Sequence, residues 1–374
     1  MNINIVSFNI PFPANYGGVI DVFYKIKALY KAGAKITLHC FEYGREHSDE
    51  LNKYCAEVYY YKRKTGFLSQ LSTLPYIVKS RENENLLRNL LSNNYPILFE
   101  GLHTCYYINN PELRHRTKIV RAHNIEHHYY SGLAKTSGSV VEKIFFTIEK
   151  FRLKKFESQL KYSDYIIPLS LSDASYYKQV YGENKTVYIP VFHQNKDVDI
   201  KTEVLHPYLL FHGDLSVSEN INAAIFLIEN VAKADRSLKL IIAGKNPDTS
   251  IKKSALSLNN VSVQASPNHD EMQDLVRNAS INILYAKHPA GVKLKLINTL
   301  YSGRYCIANH AITEGSGLDS LCIDFPENQT GLLKTICEYY EKDFDEKEII
   351  IRQSVLNELY NNDLSSEKII KLIK

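Results

Sequence analysis

The sequence predicts an α/β protein built from two doubly wound, Rossmann-like domains that face a central cleft. Three observations lead there. Short apolar runs alternate with segments of helical periodicity along most of the 374 residues, which indicates parallel sheets covered on both faces. The polar, aperiodic stretch "HQNKDVDIKTEVLHP" (193–207) interrupts the alternation and is followed by a fresh strand. Each half is also long enough to build its own core.

In the first half, "INIVSF" (3–8), "AKITLHCF" (34–41), "AEVYYY" (56–61), "PILFE" (96–100), "KIVRAH" (118–123), "DYIIPLS" (164–170) and "TVYIPV" (186–191) read as strands. Residues 18–32, 82–92, 139–161 and 172–181 carry apolar residues at helical spacing. The second half repeats this with strands at 208–213, 238–244, 260–265, 281–286 and 305–310, and helices at 218–232, 270–279, 292–302 and 328–341. The expected organisation is a first domain over 1–195 and a second over 207–345. Charged, amphipathic helices over 346–374 are in a position to cross back to the first domain.

Composition narrows the function classes. Hydrophobic content of 44% and charged content of 23% are those of a globular protein. A net charge of +4 is small for this length and, with no RNP, zinc-finger or basic-region pattern, argues against a nucleic-acid partner. The cysteines at 40, 55, 105, 306, 322 and 337 form no CxxC and no metal-ligand spacing, and read as reduced core residues. The start "MNINIVSFNIPFP" has no basic n-region, and no apolar run reaches the ~18 residues of a membrane span. A cytoplasmic protein is expected. The 27 tyrosines without a tryptophan suggest sugar stacking less than a general bias towards Asn, Lys and Ile.

In doubly wound sheets ligands bind beyond the carboxyl ends of the strands, so the strand-to-helix loops are the candidate sites. The loop "NIPFPANYGGVIDVF" (9–23) offers Gly17 and Gly18 before a helix N-terminus, a place for close backbone approach and for an anion. It is not a GxGxxG fingerprint, and only Glu42 stands near the usual acidic position after the second strand. In "RAHNIEHHYY" (121–130), His123 ends a strand, whereas His127 and His128 fall on the next helix. His123 and His127 have the i,i+4 spacing of a zinc pair but would not share a helix face, so no metal is expected and hydrogen bonding by His123 is preferred. "FHGDLSVSEN" places Gly213 at a strand end, with Asp214 or Ser218 available as a helix cap, and "IIAGKNP" ends in Gly244-Lys245. The DxD of "KDVDI" (Asp197, Asp199) lies in the expected linker and is set aside.

The stretch "HPAGVKLKLINTLYSG" (288–303) places Lys293 and Lys295 where a loop becomes a helix with Val292, Leu296, Ile297 and Leu300 on its apolar face. Cations in a first turn oppose the helix dipole, at about 0.3–1 kcal/mol each when exposed. Either the cost is tolerated at a solvated helix end, or an anion bound there reverses its sign. On a helical wheel Lys295, Asn298, Thr299 and Ser302 share one polar arc, and Lys293 falls in the apolar arc at the first turn. The helix over 139–161, "SVVEKIFFTIEKFRLKKFESQLK", mixes Phe145, Phe146, Phe151 and Phe156 with basic residues. It reads as a domain helix that buries its phenylalanines, or as a face for an anionic membrane surface.

Together these loops resemble the retaining glycosyltransferases of the GT-B fold, close to glycosyltransferase family 4. "PFPANYGG" is similar to that family's P-x-x-x-G-G-type loop, and "RAHNIEH" to its His-Asn-x-Glu segment. "RLKKFESQLKYSDYIIPLS", "FHGDLSVSENINAAIFLIENV", "LKLIIAGKNP" and "HPAGVKLKLINTLYSGRYCIAN" follow in the family's order over roughly residues 1–340. The resemblance implies transfer of a sugar from a nucleoside-diphosphate-sugar, used as co-substrate with no further cofactor and no metal, to a glycan or lipid-linked acceptor. It implies a surface polysaccharide or glycan pathway; the small positive charge is compatible with peripheral contact at the inner face of the membrane. Lys295 would contact the donor diphosphate, with Lys293 and Gly213 beside it and Asn298 at the ribose. His123 would face the donor sugar, and Gly17–Gly18 phosphate or acceptor. The leaving phosphate itself would take the acceptor's proton, whereas an Asp21 base would make the reaction inverting. Two family glutamates are replaced by Ala290 and Asn298, and basic residues after the Gly213 loop are missing. A sugar-nucleotide 2-epimerase and a non-catalytic nucleotide-sugar-binding relic are the alternatives.

Overall fold

The computed structural model describes residues 1–66, 69, 72–287 and 291–373. Its two units are Met1–Gln194 with Tyr360–Lys374, and Asn195–Leu359. The first holds β1 (Asn2–Ser7), α1 (Gly17–Lys31), β2 (Lys35–Glu42), β3 (Glu57–Lys62), α2 (Glu84–Leu91), β4 (Ile97–Glu100) and β5 (Lys118–Ala122). α3 (Glu126–Thr136), α4 (Val140–Glu157), β6 (Tyr165–Pro168) and α5 (Leu171–Tyr181) follow. The second holds β7 (Leu209–Asp214), α6 (Ser218–Leu227), β8 (Leu240–Lys245), α7 (Thr249–Ala255), β9 (Val261–Ala265), α8 (His269–Asn278) and β10 (Ile281–Leu284). It continues with α9 (Leu294–Ser302), β11 (Tyr305–Ala308), β12 (Ile323–Asp324), α10 (Gln329–Tyr339) and α11 (Glu346–Leu359). The last helix, α12 (Asn362–Leu372), returns to the first unit.

Each unit has one six-stranded sheet, β3-β2-β1-β4-β5-β6 and β12-β11-β10-β7-β8-β9. Every pairing is parallel, for example Asn2↔Lys35 to Ser7↔Cys40 and Leu209↔Leu240 to Asp214↔Lys245. The order is the same in both units, outward to one edge and then back across the first strand to the other. It follows from the apolar runs: β1, β4 and β10 are buried almost throughout, which requires helices on both faces. The order reverses between β1 and β4, and between β7 and β10. Those two switch points are where a doubly wound sheet opens a crevice for a ligand.

The structure corrects three expectations. Residues 186–191 do not form a strand and make only an isolated bridge between Ile166 and Thr186. The carbonyls of Ile189 and Pro190 instead accept from the Arg121 guanidinium at 2.6 and 2.7 Å, so they are not free for a ladder. From Asn195 onward the polar segment belongs to the second unit: the Val198 amide donates to Gln353 and the Phe344 amide to the Thr202 carbonyl. The 346–374 segment also divides. Arg352 ties α11 to the second unit by donating to the Gly303 and Arg304 carbonyls at 2.7 and 2.9 Å.

α12 instead completes the first core, where Ile369 and Ile373 join Ile3, Ile5, Ile26 and Leu29. Asn362 closes the junction by donating to the His193 carbonyl at 2.7 Å. Ile369 is fully buried, so Ile369→Ala is expected to cost about 2–5 kcal/mol in urea unfolding. A negligible loss would mean that α12 is not part of the first core.

Candidate functional site

In the second unit the switch point gathers the end of β7, the start of α6 and the start of α9. Gly213 and Gly244 lie opposite each other in the β7–β8 register. A Cβ on Gly244 would meet the Gly213 carbonyl oxygen at 1.7 Å, and one on Gly213 would meet the Asn220 amide at 3.0 Å. Gly244 is therefore needed for backbone closeness to Gly213, while Gly213 itself packs closely against the Asn220 side chain. Asp214 accepts from the Ser216 amide and hydroxyl and stabilises the turn. The N-cap of α6 is Val217, with no side-chain cap, so neither Asp214 nor Ser218 plays that part.

α9 begins at Leu294, with Lys293 as its N-cap in extended backbone. Lys293 thus precedes the helix instead of occupying its first turn. Lys295 sits in that turn, its ammonium 5.8 Å from the centre of the Phe211 ring. Burial and the neighbouring Lys293 push Lys295 down to about 8, against the opposing pull of Glu219. Lys293 is lowered as well, by burial and again against Glu219. Glu219 also accepts from the Lys287 amide, which ties the loop after β10 to α6. Two lysines thus share one nearby carboxylate, at a helix start where backbone N–H groups already favour an anion. Of the expected polar arc, Thr299 and Ser302 are buried and the Asn298 side-chain oxygen accepts from Asn195 at 2.9 Å. That arc is turned into the unit, and Lys295 is its cationic member.

Sequence reasoning missed His212. It is buried beside Lys295, and its pKa is lowered to about 3 by burial and by that lysine, so it is neutral at pH 7. Its Nε2 has no hydrogen-bond partner among the described residues. A polar residue inside the apolar run "YLLFHG" was the available signal. Ala290 lies outside the described residues.

In the first unit a buried ion cluster occupies the β1/β4 switch point. Arg121 on β5 grips Asp21 of α1 with two bonds, Nη2 to Oδ1 at 2.7 Å and Nε to Oδ2 at 3.1 Å. Lys25, one turn after Asp21, bridges it to Glu100 at the end of β4, at 2.8 and 2.9 Å. The Phe192 amide also donates to Asp21. Burial would raise the Asp21 carboxyl, but Arg121 and Lys25 hold it well below the usual carboxylate range. His123 follows β5 directly, with Nε2 3.1 Å from Glu100. Phe8 packs edge-on against His123 and tilted against His103, with ring centres at 5.3 and 5.5 Å.

Gly17 and Gly18 open α1. A Cβ on Gly18 would come within 2.7 Å of the Phe8 ring, so the glycine loop and His123 meet through Phe8. His127 turns elsewhere, to Glu157 at 3.2 Å, so it forms no pair with His123. Asp21, Glu100 and His123 bring ligand atoms within 4.8 Å of one another. Lys25 and Arg121 already supply the two cations these carboxylates need, which leaves a poor fit for a metal ion. Asp199 of the DxD pairs with Arg277.

Comparison with known proteins fits this geometry. Residues 206–342 match the family model for Glycosyl transferases group 1. The whole chain resembles Anabaena HepE in complex with UDP and glucose, with a TM-score of 0.64 at 12% identity, covering 99% of this chain and 98% of that one. Sucrose-phosphate synthase from Thermosynechococcus elongatus gives 0.67 at 14%, over 100% and 98%. The chain has the GT-B glycosyltransferase fold. A further relative is an uncharacterized 44.6 kDa protein in the cps region of Klebsiella pneumoniae, 28% identical over 84% of each chain.

Within the GT-B frame the two switch points differ in electrostatic character, and two expectations follow. Removing Arg121 strands a buried carboxylate, so Arg121→Leu should lose about 3–5 kcal/mol in urea unfolding; a neutral outcome would contradict the cluster's role. A diphosphate bound at Lys295 would restore the proton that burial weakens. Affinity for such a diphosphate should then be level below pH about 8 and fall by up to tenfold per pH unit above it. Lys295→Arg, which stays protonated, should flatten that profile. An unaltered slope in that variant would place the titrating group elsewhere.

Proposed function

We propose that the protein transfers a sugar from a nucleoside-diphosphate-sugar to a glycan or lipid-linked acceptor, with retention of configuration, in the synthesis of a surface polysaccharide. The observation that carries this reading is the lysine pair at the start of α9, whose buried charge is only partly met by Glu219. A diphosphate is the counter-charge such a site lacks. Lys293, Lys295 and the N–H groups of α9 would stabilise the charge that develops on it as the bond to the sugar breaks. Neutral His212 has a hydrogen-bonding nitrogen to offer a phosphate or hydroxyl oxygen beside it. Gly213 and Gly244 keep side chains out of the backbone approach there.

His123, oriented by Glu100, would hydrogen-bond the donor sugar, with the Gly17–Gly18 loop beside it. Asp21 is unsuited to act as the acceptor's base. Both its oxygens are taken by Arg121, Lys25 and the Phe192 amide. With that base removed, proton transfer to the leaving phosphate suits the site better than inversion. Support for the donor class comes from HepE, whose complexes contain UDP and UDP-glucose. Support for the pathway comes from the cps-region relative.

Thermal unfolding with UDP, GDP, dTDP, CDP and ADP tests the donor site. One diphosphate at about 100 times its dissociation constant should add about 2.7 kcal/mol and raise the melting temperature by several degrees. Lys295→Ala should lose most of that rise. Stabilisation by none of the five, or an undiminished rise in the variant, would overturn the reading. The anomeric configuration of the product, read by NMR, decides between retention and inversion.

A further inference from the structure

We propose that α4 is a membrane-docking helix that lies on an anionic lipid surface. A helix packed on a globular domain normally buries its apolar stripe and exposes its polar one. α4 buries Leu153 and Phe156 but exposes a second apolar stripe as well. Val140, Val141, Ile144, Ile148 and Phe151 are 46% to 77% exposed. At 100° per residue they fall within one sector of roughly 100°. The inward face is formed by Glu149, Leu153, Phe156 and Glu157. Of the four phenylalanines, Phe156 is buried, and Phe145 and Phe146 pack against Tyr76 and Tyr130. Only Phe151 joins the outer stripe.

The charges are sorted in the same sense. Glu149 accepts from the Tyr76 amide, Glu157 from His127 and Tyr176, and Glu142 at the helix start from Ser137. Lys143, Lys150 and Lys154 line one edge of the apolar sector, and Lys155 sits at its C-terminal end. An apolar stripe edged by lysines is complementary to acyl chains beneath a layer of anionic headgroups. A second copy of the chain would bring the same lysines to the contact with little acidic surface from α4 to meet them. No helix among the described residues is long and apolar enough to cross a membrane, so the contact is interfacial.

The inference is independent of the lysine pair in the second unit and is tested apart from it. The full-length protein would be floated with vesicles of phosphatidylcholine, with and without phosphatidylglycerol. Binding is expected only to the anionic vesicles and should weaken at raised salt. Lys143→Gln, Lys150→Gln and Lys154→Gln together should lower partitioning by roughly a hundredfold. Ile144→Ser with Phe151→Ser should lower it by about tenfold. Val141→Ser with Ile148→Ser is an independent second pair should the first fail to fold. Equal binding to neutral vesicles, or unchanged binding by every stripe variant, would overturn the proposal. So would a dimer in sedimentation velocity that the stripe variants dissociate while wild type ignores vesicles.

Discussion

The buried ion cluster around Asp21 is the constraint on which the first unit depends. Two carboxylates, a lysine and a guanidinium are withdrawn from water, a cost recovered only if each has good partners. They are held by α1, β4 and β5, and the remaining guanidinium hydrogens are met by the Ile189 and Pro190 carbonyls. The cluster therefore fixes the start of α1 relative to the sheet. It bends the chain after residue 186 out of strand geometry and presents His123 in one orientation. Its positive and negative charges balance internally.

The second unit uses the same topology with the opposite electrostatic outcome. Its switch point has two partly buried lysines, a neutral histidine and one nearby glutamate, so charge balance there is incomplete. The first cluster is balanced by its own members, whereas the lysines of the second have the carboxylate of Glu219 beside them. Two sheets of identical strand order thus divide their work by where the compensating charges come from. Under the proposed function, the second unit would supply preorganised positive potential and no protein nucleophile would be required.

The parallel strands and most helices were legible because parallel strands buried on both faces have few acceptable residue types, whereas the order of the strands came only from the structure. The run "INIVSF" has no other economical reading. The supposed strand at 186–191 failed because a long-range partner, Arg121, claimed its carbonyls, and no local pattern records that. For the same reason Asp21 looked like a candidate base. Its i,i+4 spacing to Lys25 was visible, but the grip of Arg121, 100 residues away, was not. Lys295 stood out because a cation in a first turn breaks a local rule of helix electrostatics; the structure places it there, with Lys293 just before the helix. His212 was not singled out, since one histidine in an apolar run is ordinary until its neighbours are known. The exposed apolar face of α4 was similarly hidden, because a helical wheel shows a stripe without showing which side the domain covers.

The most direct test of the central claim compares a diphosphate with its parent nucleoside. Calorimetric titration of the wild-type protein with the nucleoside diphosphate that stabilises it, and with the parent nucleoside, isolates what the phosphates contribute at the lysine pair. The diphosphate should bind at least about a hundredfold more tightly, as expected for charge-assisted contacts worth about 1.5–3 kcal/mol each. Equal affinities for a diphosphate that does stabilise the protein and for its parent nucleoside would contradict the assignment of Lys293 and Lys295 to the donor's diphosphate.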